Sequence, residues 1–331
     1  VTSDAMKSYL SKLSKNNELL EIEVQVDPLH ELAAVTKAAQ KKGDEALLFS
    51  RIKGTDFPVV TNLYSSRRRL CELVGADDDN FCPAWSRLLN DIGEKPRESA
   101  QLCVDRPKVI EGKLSDLPLI TYHEKDAGPY LTSAIYVAKD PLTGVPNLSF
   151  HRSMFVSDNE LRIRLGKTHD LAKYQRSAEK EGRALEAAIL IGVSPSVFLA
   201  ACASIPSNSS ELELASKIDD SPLKMYKAKT VDLEIPAETQ IVIEGRILPD
   251  QRKPEGPFGE FMGYYVPTED NHVFEVNKVY WREEPVFHSI LCGSSEDLTV
   301  LEAATASKMY RHLNNDLPGI LDVSCSPGLM N

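Results

Sequence analysis

A short loop rich in glycine and proline carries two glutamates and is the segment whose residue types most suggest chemistry. The run PEGPFGE places Glu255 and Glu260 five positions apart. Glycine and proline fix a backbone course that other residues cannot follow, so this loop can hold both carboxylates in one pocket. Two carboxylates in a dry pocket cannot both ionise cheaply, and one can then act as an acid. The alternative is a solvated turn with two surface glutamates. If the loop is considered without other evidence, this alternative is the more common case.

A second segment, PNLSFHRSMF at 146–155, places an arginine among apolar residues. If this segment is one strand, Arg152 shares a face with Leu148, Phe150 and Met154. A buried guanidinium needs an anionic partner. That partner is either a protein carboxylate, such as Glu255 or Glu260, or a substrate carboxylate held by the guanidinium fork. For a lone arginine on a strand, the structural ion pair is the commoner case.

Three further residues, Asn147, His169 and Glu211, could each bind a divalent cation. Amide oxygen, imidazole nitrogen and carboxylate oxygen are all acceptable ligands of Mn²⁺ or Mg²⁺. Their spacing in the sequence does not show that they bind one cation. His169 could cap the helix that follows it, and Glu211 could lie in the first turn of a helix and favour its dipole.

The elements that would position these residues differ between the two parts of the chain. Helices and short strands alternate up to a polar stretch at 95–106, where we expect a domain boundary. After residue 107 strands dominate, interrupted by helices at 169–181 and 195–203, which suggests an α+β domain built on a barrel. A long helix at 296–315 follows, and 317–331 is expected to be a strand that enters a turn. The predicted strands after residue 107 are 133–138, 147–156, 161–165, 186–192, 240–248, 272–281 and 285–291.

The composition of the chain excludes or disfavours several classes of protein. The 331 residues are 42% hydrophobic and 26% charged, which excludes a disordered chain. The net charge of −11 disfavours a general nucleic-acid or anionic-membrane binder. No apolar run approaches the roughly 18 residues of a membrane-spanning helix. The six cysteines form no CxxC pair, which favours reduced thiols and a cytoplasmic location.

Several segments, taken together, resemble the UbiD family of decarboxylases that use prenylated FMN. The resemblance runs from about Leu114 to the chain end. It is carried by the order and spacing of PNLSFHRSMF, AEKEG, IGVSP, SELELAS, IPAETQIVIEGRILP and, most specifically, PEGPFGE-x-x-GYY. The fold that it implies is mixed α+β and α/β. We expect an N-terminal α/β domain at 1–106, a split β-barrel of the flavin-reductase type that binds prenylated FMN at 107–293, and a linker helix with the truncated start of a C-terminal α/β domain at 294–331.

The resemblance also implies roles for particular residues. Arg152, Glu255 and Glu260 match the catalytic set, in which Arg152 holds the substrate or the cofactor edge, Glu255 tethers Arg152 and Glu260 donates the proton. Mn²⁺, or Mg²⁺, is expected to bridge its ligands to the cofactor phosphate, with K⁺ as a further candidate ion on backbone oxygens around Cys202, Ala203 and Ile205. The implied metal ligands are Asn147, His169 and Glu211. The implied cofactor-binding residues are Asn147, Phe150, Arg152, His169, Ala203, Ser204 and Glu211.

These expectations combine into one functional hypothesis. The protein would be a carboxy-lyase that reversibly decarboxylates an aromatic or α,β-unsaturated acid without net oxidation. Its partners would be that small acid and CO₂, a flavin prenyltransferase that supplies the cofactor, and further copies of the chain in a dimer or hexamer. No nucleic acid or membrane span is expected. Two alternatives stay open: an ordinary FMN-dependent oxidoreductase on a split barrel, and a non-catalytic subunit for flavin binding or assembly.

Overall fold

A computed structural model of the protein describes residues 4–76, 80–90, 92–93, 100–103, 106–206 and 208–325. Helices and strands are interleaved along these residues, which makes the fold a mixed α/β fold. No helix among them is both long enough and apolar enough to cross a bilayer. The α-helices are Ala5–Lys15 (α1), Glu31–Gln40 (α2), Arg67–Leu73 (α3), Phe81–Leu89 (α4), Asp170–Lys180 (α5), Pro195–Ala201 (α6), Glu211–Ile218 (α7) and Ser295–Asn314 (α8).

The strands of the described residues fall into one large sheet and three small ones. In chain order they are Leu19–Ile22 (β1), Ala46–Phe49 (β2), Val59–Thr61 (β3), Ala100–Leu102 (β4), Val109–Gly112 (β5), Tyr130–Leu131 (β6), Ile135–Lys139 (β7), Pro146–Phe150 (β8), Ser153–Ser157 (β9), Glu160–Ile163 (β10), Leu185–Ile191 (β11), Leu223–Lys227 (β12), Glu234–Pro236 (β13), Ile241–Glu255 (β14), Phe258–Gly259 (β15), Tyr265–Val266 (β16), Glu269–Arg282 (β17) and Phe287–His288 (β18).

In the part of the chain that the structure describes, the large sheet has nine antiparallel strands and is organised around the long pair β14 and β17. Its order is β6-β9-β10-β17-β14-β11-β7-β8, with β5 paired to β17. β14 and β17 pair from Ile241 with Trp281 to Glu255 with Glu269, and the register shifts twice. Such shifts bend a strand and increase its twist. The candidate residue Glu255 is the last residue of β14, in the pair that it forms with Glu269 of β17.

The large sheet curls until its two ends come close together. β8 is the last strand at one end and β9 is the second strand at the other, yet only His151 and Arg152 separate them in the chain. A two-residue connection spans at most roughly 10 Å, so these ends must meet. This curl is what a split barrel requires. The barrel assignment itself, like the domain division 1–106, 107–293 and 294–331, remains a prediction.

The prediction of one strand over 147–156 is wrong, because the chain breaks pairing at this corner. Phe150 pairs with Ile135 of β7, whereas Ser153 pairs with Leu131 of β6 and Ile163 of β10. The two halves therefore belong to opposite ends of the sheet. Period-two alternation does not reveal such a change of partner strand, since both halves keep a strand-like pattern.

The small sheets connect the parts of the chain that flank the large sheet. β18 pairs in parallel with β3, in a sheet of order β1-β2-β3-β18. β4 pairs with β12 in the sheet β13-β12-β4, and β15 pairs with β16 alone. Residues that follow the large sheet in sequence thus complete the N-terminal sheet, and the buried apolar side chains of both regions pack into shared clusters.

Helix α8 matches its predicted position within one residue at each end, and its capping residues explain this. The hydroxyl of Ser294 accepts a hydrogen bond from the backbone N–H of Asp297 at 3.3 Å, which satisfies an orphan donor of the first turn. The strand expected after α8 is absent from the described residues 317–325, and residues 326–331 lie outside the described part. Arg67 instead ties this segment to α8 through ion pairs to Asp322 in the segment at 2.8 Å and to Glu302 in the helix at 2.7 Å.

Candidate active site

Arg152 lies between both glutamates of the PEGPFGE loop. Its Nε donates to Glu255 Oε1 at 3.1 Å and its Nη2 to Glu255 Oε2 at 3.0 Å, which is a forked, two-point ion pair. The remaining amino group, Nη1, contacts Glu260 Oε1. The guanidinium also lies over the ring of Phe258, 4.7 Å from its centroid. One cation therefore links two carboxylates that are five residues apart in the chain.

The backbone of the loop is held on both sides. Gly256 has φ of 94°, which glycine adopts without the steric cost that a side chain would bring. Asp126 accepts a hydrogen bond from the N–H of Gly259 at 2.8 Å. The N–H of Glu260 donates to the carbonyl of Tyr264 at 2.9 Å, which closes the turn between β15 and β16. Local glycine chemistry and one distant carboxylate together determine where Glu260 lies.

Glu255 and Glu260 occupy very different environments. The Glu255 side chain is 1% exposed, against 24% for Glu260. Glu255 accepts two hydrogen bonds from Arg152, one from Tyr130 Oη at 2.9 Å and one from Asn271 Nδ2 at 3.0 Å. Both of its oxygens are thus occupied. In the described residues the Glu260 carboxylate has only the contact to Arg152 Nη1, so it is the freer of the two.

Sequence reasoning missed the residues that support this cluster, namely Asp126, Tyr130 and Asn271. A signal for two of them was present, because Asp126 and Tyr130 belong to a DAGPY run whose glycine and proline mark a defined turn before β6. Asn271 gave no signal, since it is one polar residue in the long strand β17. Its importance comes from its register opposite β14, where Lys253 is its partner.

A cavity of about 840 Å³ lies beside the cluster, and its size is that of a cofactor or substrate pocket. It is lined by six of the seven residues predicted to bind the cofactor; Arg152, the seventh, does not line it. Those six are Asn147, Phe150, His169, Ala203, Ser204 and Glu211. Cys202 and Ile205, predicted beside K⁺, also line it. The fold therefore gathers residues from β8, α7 and the segments before α5 and after α6 around one space.

Glu211 is a buried cavity residue whose pKa is strongly shifted. It is 4% exposed, and burial raises its pKa to about 7 even though it accepts hydrogen bonds from Leu148 N at 2.8 Å and Asn147 Nδ2 at 3.0 Å. It occupies the first position of α7, where the Ser210 hydroxyl accepts from Leu212 N. Burial of an ionised carboxylate costs free energy, and a bound cation nearby would reduce that cost. Glu211 is therefore a candidate functional residue.

The donor set of the cavity fits a hard divalent cation. Asn147 and Glu211 are in direct contact through Asn147 Nδ2, and His169, the residue before α5, lines the same cavity. One amide oxygen, one carboxylate and one imidazole suit Mn²⁺ or Mg²⁺. No group of three or more His, Cys, Asp or Glu side chains arranged for a metal exists among the described residues; the predicted set contains only two of those types. The metal therefore remains a proposal.

Helix α8 connects the glutamate cluster with the cavity. Asp297, in the first turn of α8, lines the cavity. Burial raises the pKa of Asp297, and the nearby carboxylate of Glu260 adds to the effect. Burial also raises the pKa of the Cys292 thiol, with further contributions from Asp297 and Glu260. Glu260 is thus an electrostatic neighbour of a residue that forms the cavity wall.

Comparison with known proteins identifies the family. The chain matches the family model of the 3-octaprenyl-4-hydroxybenzoate carboxy-lyase Rift-related domain at residues 97–295 and that of the corresponding N-terminal domain at residues 10–89. The protein belongs to the UbiD family. UbiD relatives include anhydromevalonate phosphate decarboxylase of Methanothermobacter thermautotrophicus, 28% identical over 98% of this chain and 74% of the relative. An uncharacterised Archaeoglobus fulgidus protein is 31% identical over 87% of this chain, and the match spans only 64% of that protein's length.

Solved UbiD structures share the fold. An evolved dimeric form of the UbiD-class enzyme HmfF from Pelotomaculum thermopropionicum, in complex with prFMN, superimposes with a TM-score of 0.91 at 35% identity. The match covers 98% of this chain and 76% of HmfF. Vanillic acid decarboxylase of Sedimentibacter hydroxybenzoicus, in its closed form, gives a TM-score of 0.86 at 26% identity, over 97% of this chain and 71% of the other.

Proposed function

We propose that this chain is a UbiD-type carboxy-lyase that reversibly decarboxylates an aromatic or α,β-unsaturated carboxylic acid with prenylated FMN. The observation that carries the proposal is the arrangement around Arg152, which forks onto buried Glu255 and keeps Nη1 on the more exposed Glu260. Support comes from the family assignment and from the similarity to HmfF, which was solved with prFMN and with FMN. Prenylated FMN, when bound, would supply the electron sink that accepts the electrons left as CO₂ departs.

The environments of the three residues suggest distinct roles. Glu255 has both oxygens occupied and is almost fully buried, so it acts as a fixed anion that orients Arg152. Arg152 presents a planar cation that can hold the substrate carboxylate, a task to which a guanidinium fork is suited. Glu260 has a single contact and partial exposure, so it can take a proton from solvent and deliver it to the substrate carbon once CO₂ has left.

The cavity residues would hold the cofactor. Asn147, His169 and Glu211 would bind Mn²⁺ or Mg²⁺, and a dication there can anchor a phosphate group. K⁺ would lie near Cys202, Ala203 and Ile205, where α6 ends and carbonyl groups are left without helical partners. The remaining cavity wall at Phe150, Ala203 and Ser204 would contact the flavin. The proposal also includes the three-part domain division, assembly into a dimer or hexamer and supply of the cofactor by a flavin prenyltransferase.

The experiment that tests this function uses protein co-expressed with a flavin prenyltransferase. We expect the released flavin to have the mass of prenylated FMN, and the protein to liberate CO₂ from some members of a panel of aromatic and α,β-unsaturated acids. Glu260→Gln keeps the shape and removes the transferable proton, so kcat should fall roughly 10²–10⁴-fold while flavin remains bound.

Glu275→Gln is the control, because Glu275 pairs with Arg246 on the exposed side of the large sheet. It should leave turnover unchanged. Bound FMN that NAD(P)H reduces, without CO₂ release from any acid of the panel, would replace this proposal with an oxidoreductase. Equal turnover by Glu260→Gln and wild type would remove Glu260 from the role of proton donor.

A further inference from the structure

We propose that the segment 126–130 is a clamp that positions both glutamates of the loop, and that its Tyr130 hydroxyl is a positioning group for the reaction. This inference rests on the proposed function, because it concerns the geometry of Arg152, Glu255 and Glu260. The segment lies more than 120 positions before the loop, and each of its two ends contacts a different part of it.

Tyr130 forms the first end of the clamp. It is 1% exposed, and its hydroxyl donates to Glu255 Oε1 at 2.9 Å. Its ring packs on that of Phe258, with centroids 4.5 Å apart, and Phe258 in turn lies beneath the Arg152 guanidinium. Burial and the neighbouring Glu255 carboxylate raise the pKa of Tyr130, so the phenol stays protonated and remains a hydrogen-bond donor.

Asp126 forms the second end. Its Oδ1 accepts from Gly259 N at 2.8 Å and its Oδ2 from His123 N at 2.9 Å. The N–H of Ala127 donates to the carbonyl of Pro257 at 2.9 Å. Both bonds to the loop engage its backbone, at Pro257 and Gly259, within the three residues before Glu260. The clamp therefore fixes one glutamate through its side chain and the other through its main chain.

The geometry explains why such fixing matters. Arg152 uses Nε and Nη2 on Glu255, which leaves only Nη1 for Glu260. If the Glu255 carboxylate rotated, the planar guanidinium would rotate with it and Nη1 would leave Glu260. Tyr130 on Oε1 and Asn271 on Oε2 restrain that rotation, each through a different carboxylate oxygen. Misplacement of a reacting group by about 1 Å can cost on the order of 10²-fold in rate.

The test is Tyr130→Phe, which keeps the ring and removes only the hydroxyl. With wild type active, we expect kcat to fall about 10-fold to 100-fold, since a hydrogen bond to a charged group is lost, with KM changed less than about 2-fold. Hydrogen–deuterium exchange of the 253–265 backbone should speed up. Asp126→Asn should also speed this exchange, because the two N–H groups bind different carboxylate oxygens, and asparagine replaces one of these acceptors with an NH₂ donor.

Tyr280→Phe is the matched control. Tyr280 is another buried tyrosine, and its hydroxyl donates to a buried glutamate, Glu244, at 2.6 Å. Tyr280 lies on β17 and Glu244 on β14, away from the loop. It should leave kcat and the exchange of 253–265 unchanged. Unchanged kcat in Tyr130→Phe, or an equal fall in both tyrosine variants, overturns the clamp. If wild type releases no CO₂, the proposed function fails, and the exchange data alone decide whether the clamp exists.

Discussion

Replacing Arg152 by lysine keeps the positive charge and removes the planar fork. Arg152 is only 10% exposed, and its donors reach two carboxylates through three nitrogens. A lysine has one nitrogen, so it cannot span both oxygens of Glu255 and also reach Glu260. We therefore expect at least one charge-assisted hydrogen bond to a buried carboxylate to be lost.

The size of the effect follows from these contacts. A hydrogen bond to a charged group contributes about 1.5–3 kcal/mol, and stacking of a cation on an aromatic ring about 0.5–1 kcal/mol. Loss of one such bond and part of the Phe258 contact gives roughly 2–4 kcal/mol of unfolding free energy. If the same interactions hold the transition state, kcat falls roughly 30-fold to 900-fold, at 1.36 kcal/mol per factor of ten.

Two measurements check this prediction. Urea unfolding of Arg152→Lys, with the slope m compared with that of wild type, gives the change in free energy, and CO₂ release gives kcat. Arg246→Lys is the control, because Arg246 makes its ion pair with Glu275 in a half-exposed position and such pairs contribute about 0–1 kcal/mol. Near-normal turnover of Arg152→Lys would show that Arg152 has a structural role only.

The remaining predictions concern pH and metal. Burial lowers the pKa of His272 to about 4, so the folded state binds fewer protons than the unfolded state between that pH and about 6.5. The free energy of unfolding should therefore fall as the pH is lowered through this window, by up to about 3 kcal/mol. Urea unfolding should show a smaller loss in His272→Gln, whereas His312→Gln, a change at an exposed site, should keep the full loss. His169→Ala and Glu211→Ala should each weaken Mn²⁺ binding by apo protein at least about 10–100-fold, as measured by titration calorimetry. His312→Ala is the control and should leave the affinity unchanged. Wild-type affinity in the His169 and Glu211 variants would mean that the metal binds at another site.

The sequence predicted those features that depend on a few neighbouring residues. The glycines and proline of PEGPFGE indicate a tight, defined loop with two glutamates; the structure adds a turn after it, closed by the hydrogen bond from Glu260 N to Tyr264 O. Helix α8 follows from its cap and its helix-forming residues. The family motifs also indicated the UbiD assignment, which the family models confirm.

The course of the chain around Arg152 was decided by tertiary structure. The expected continuous strand breaks into β8 and β9 because its halves pair at opposite ends of a curled sheet. The corner lies at Arg152 itself, so the predicted apolar strand face around this residue does not exist. Hydrophobic alternation reports only whether a residue faces a core, and it contains no information on which strand lies alongside.

The sequence by itself therefore determined which residue types are available: a loop with two carboxylates, an arginine that needs an anion, and oxygen and nitrogen ligands suited to a divalent cation. Only the tertiary structure decided that Glu255 is buried and saturated while Glu260 is partly exposed, and that Tyr130 donates to Glu255. The physical reason is the sequence separation of the residues that interact. Turns and caps act over a few residues, whereas the contacts of Glu255 to Arg152 and Tyr130 join positions 103 and 125 residues apart, and these exist only once the sheet has curled.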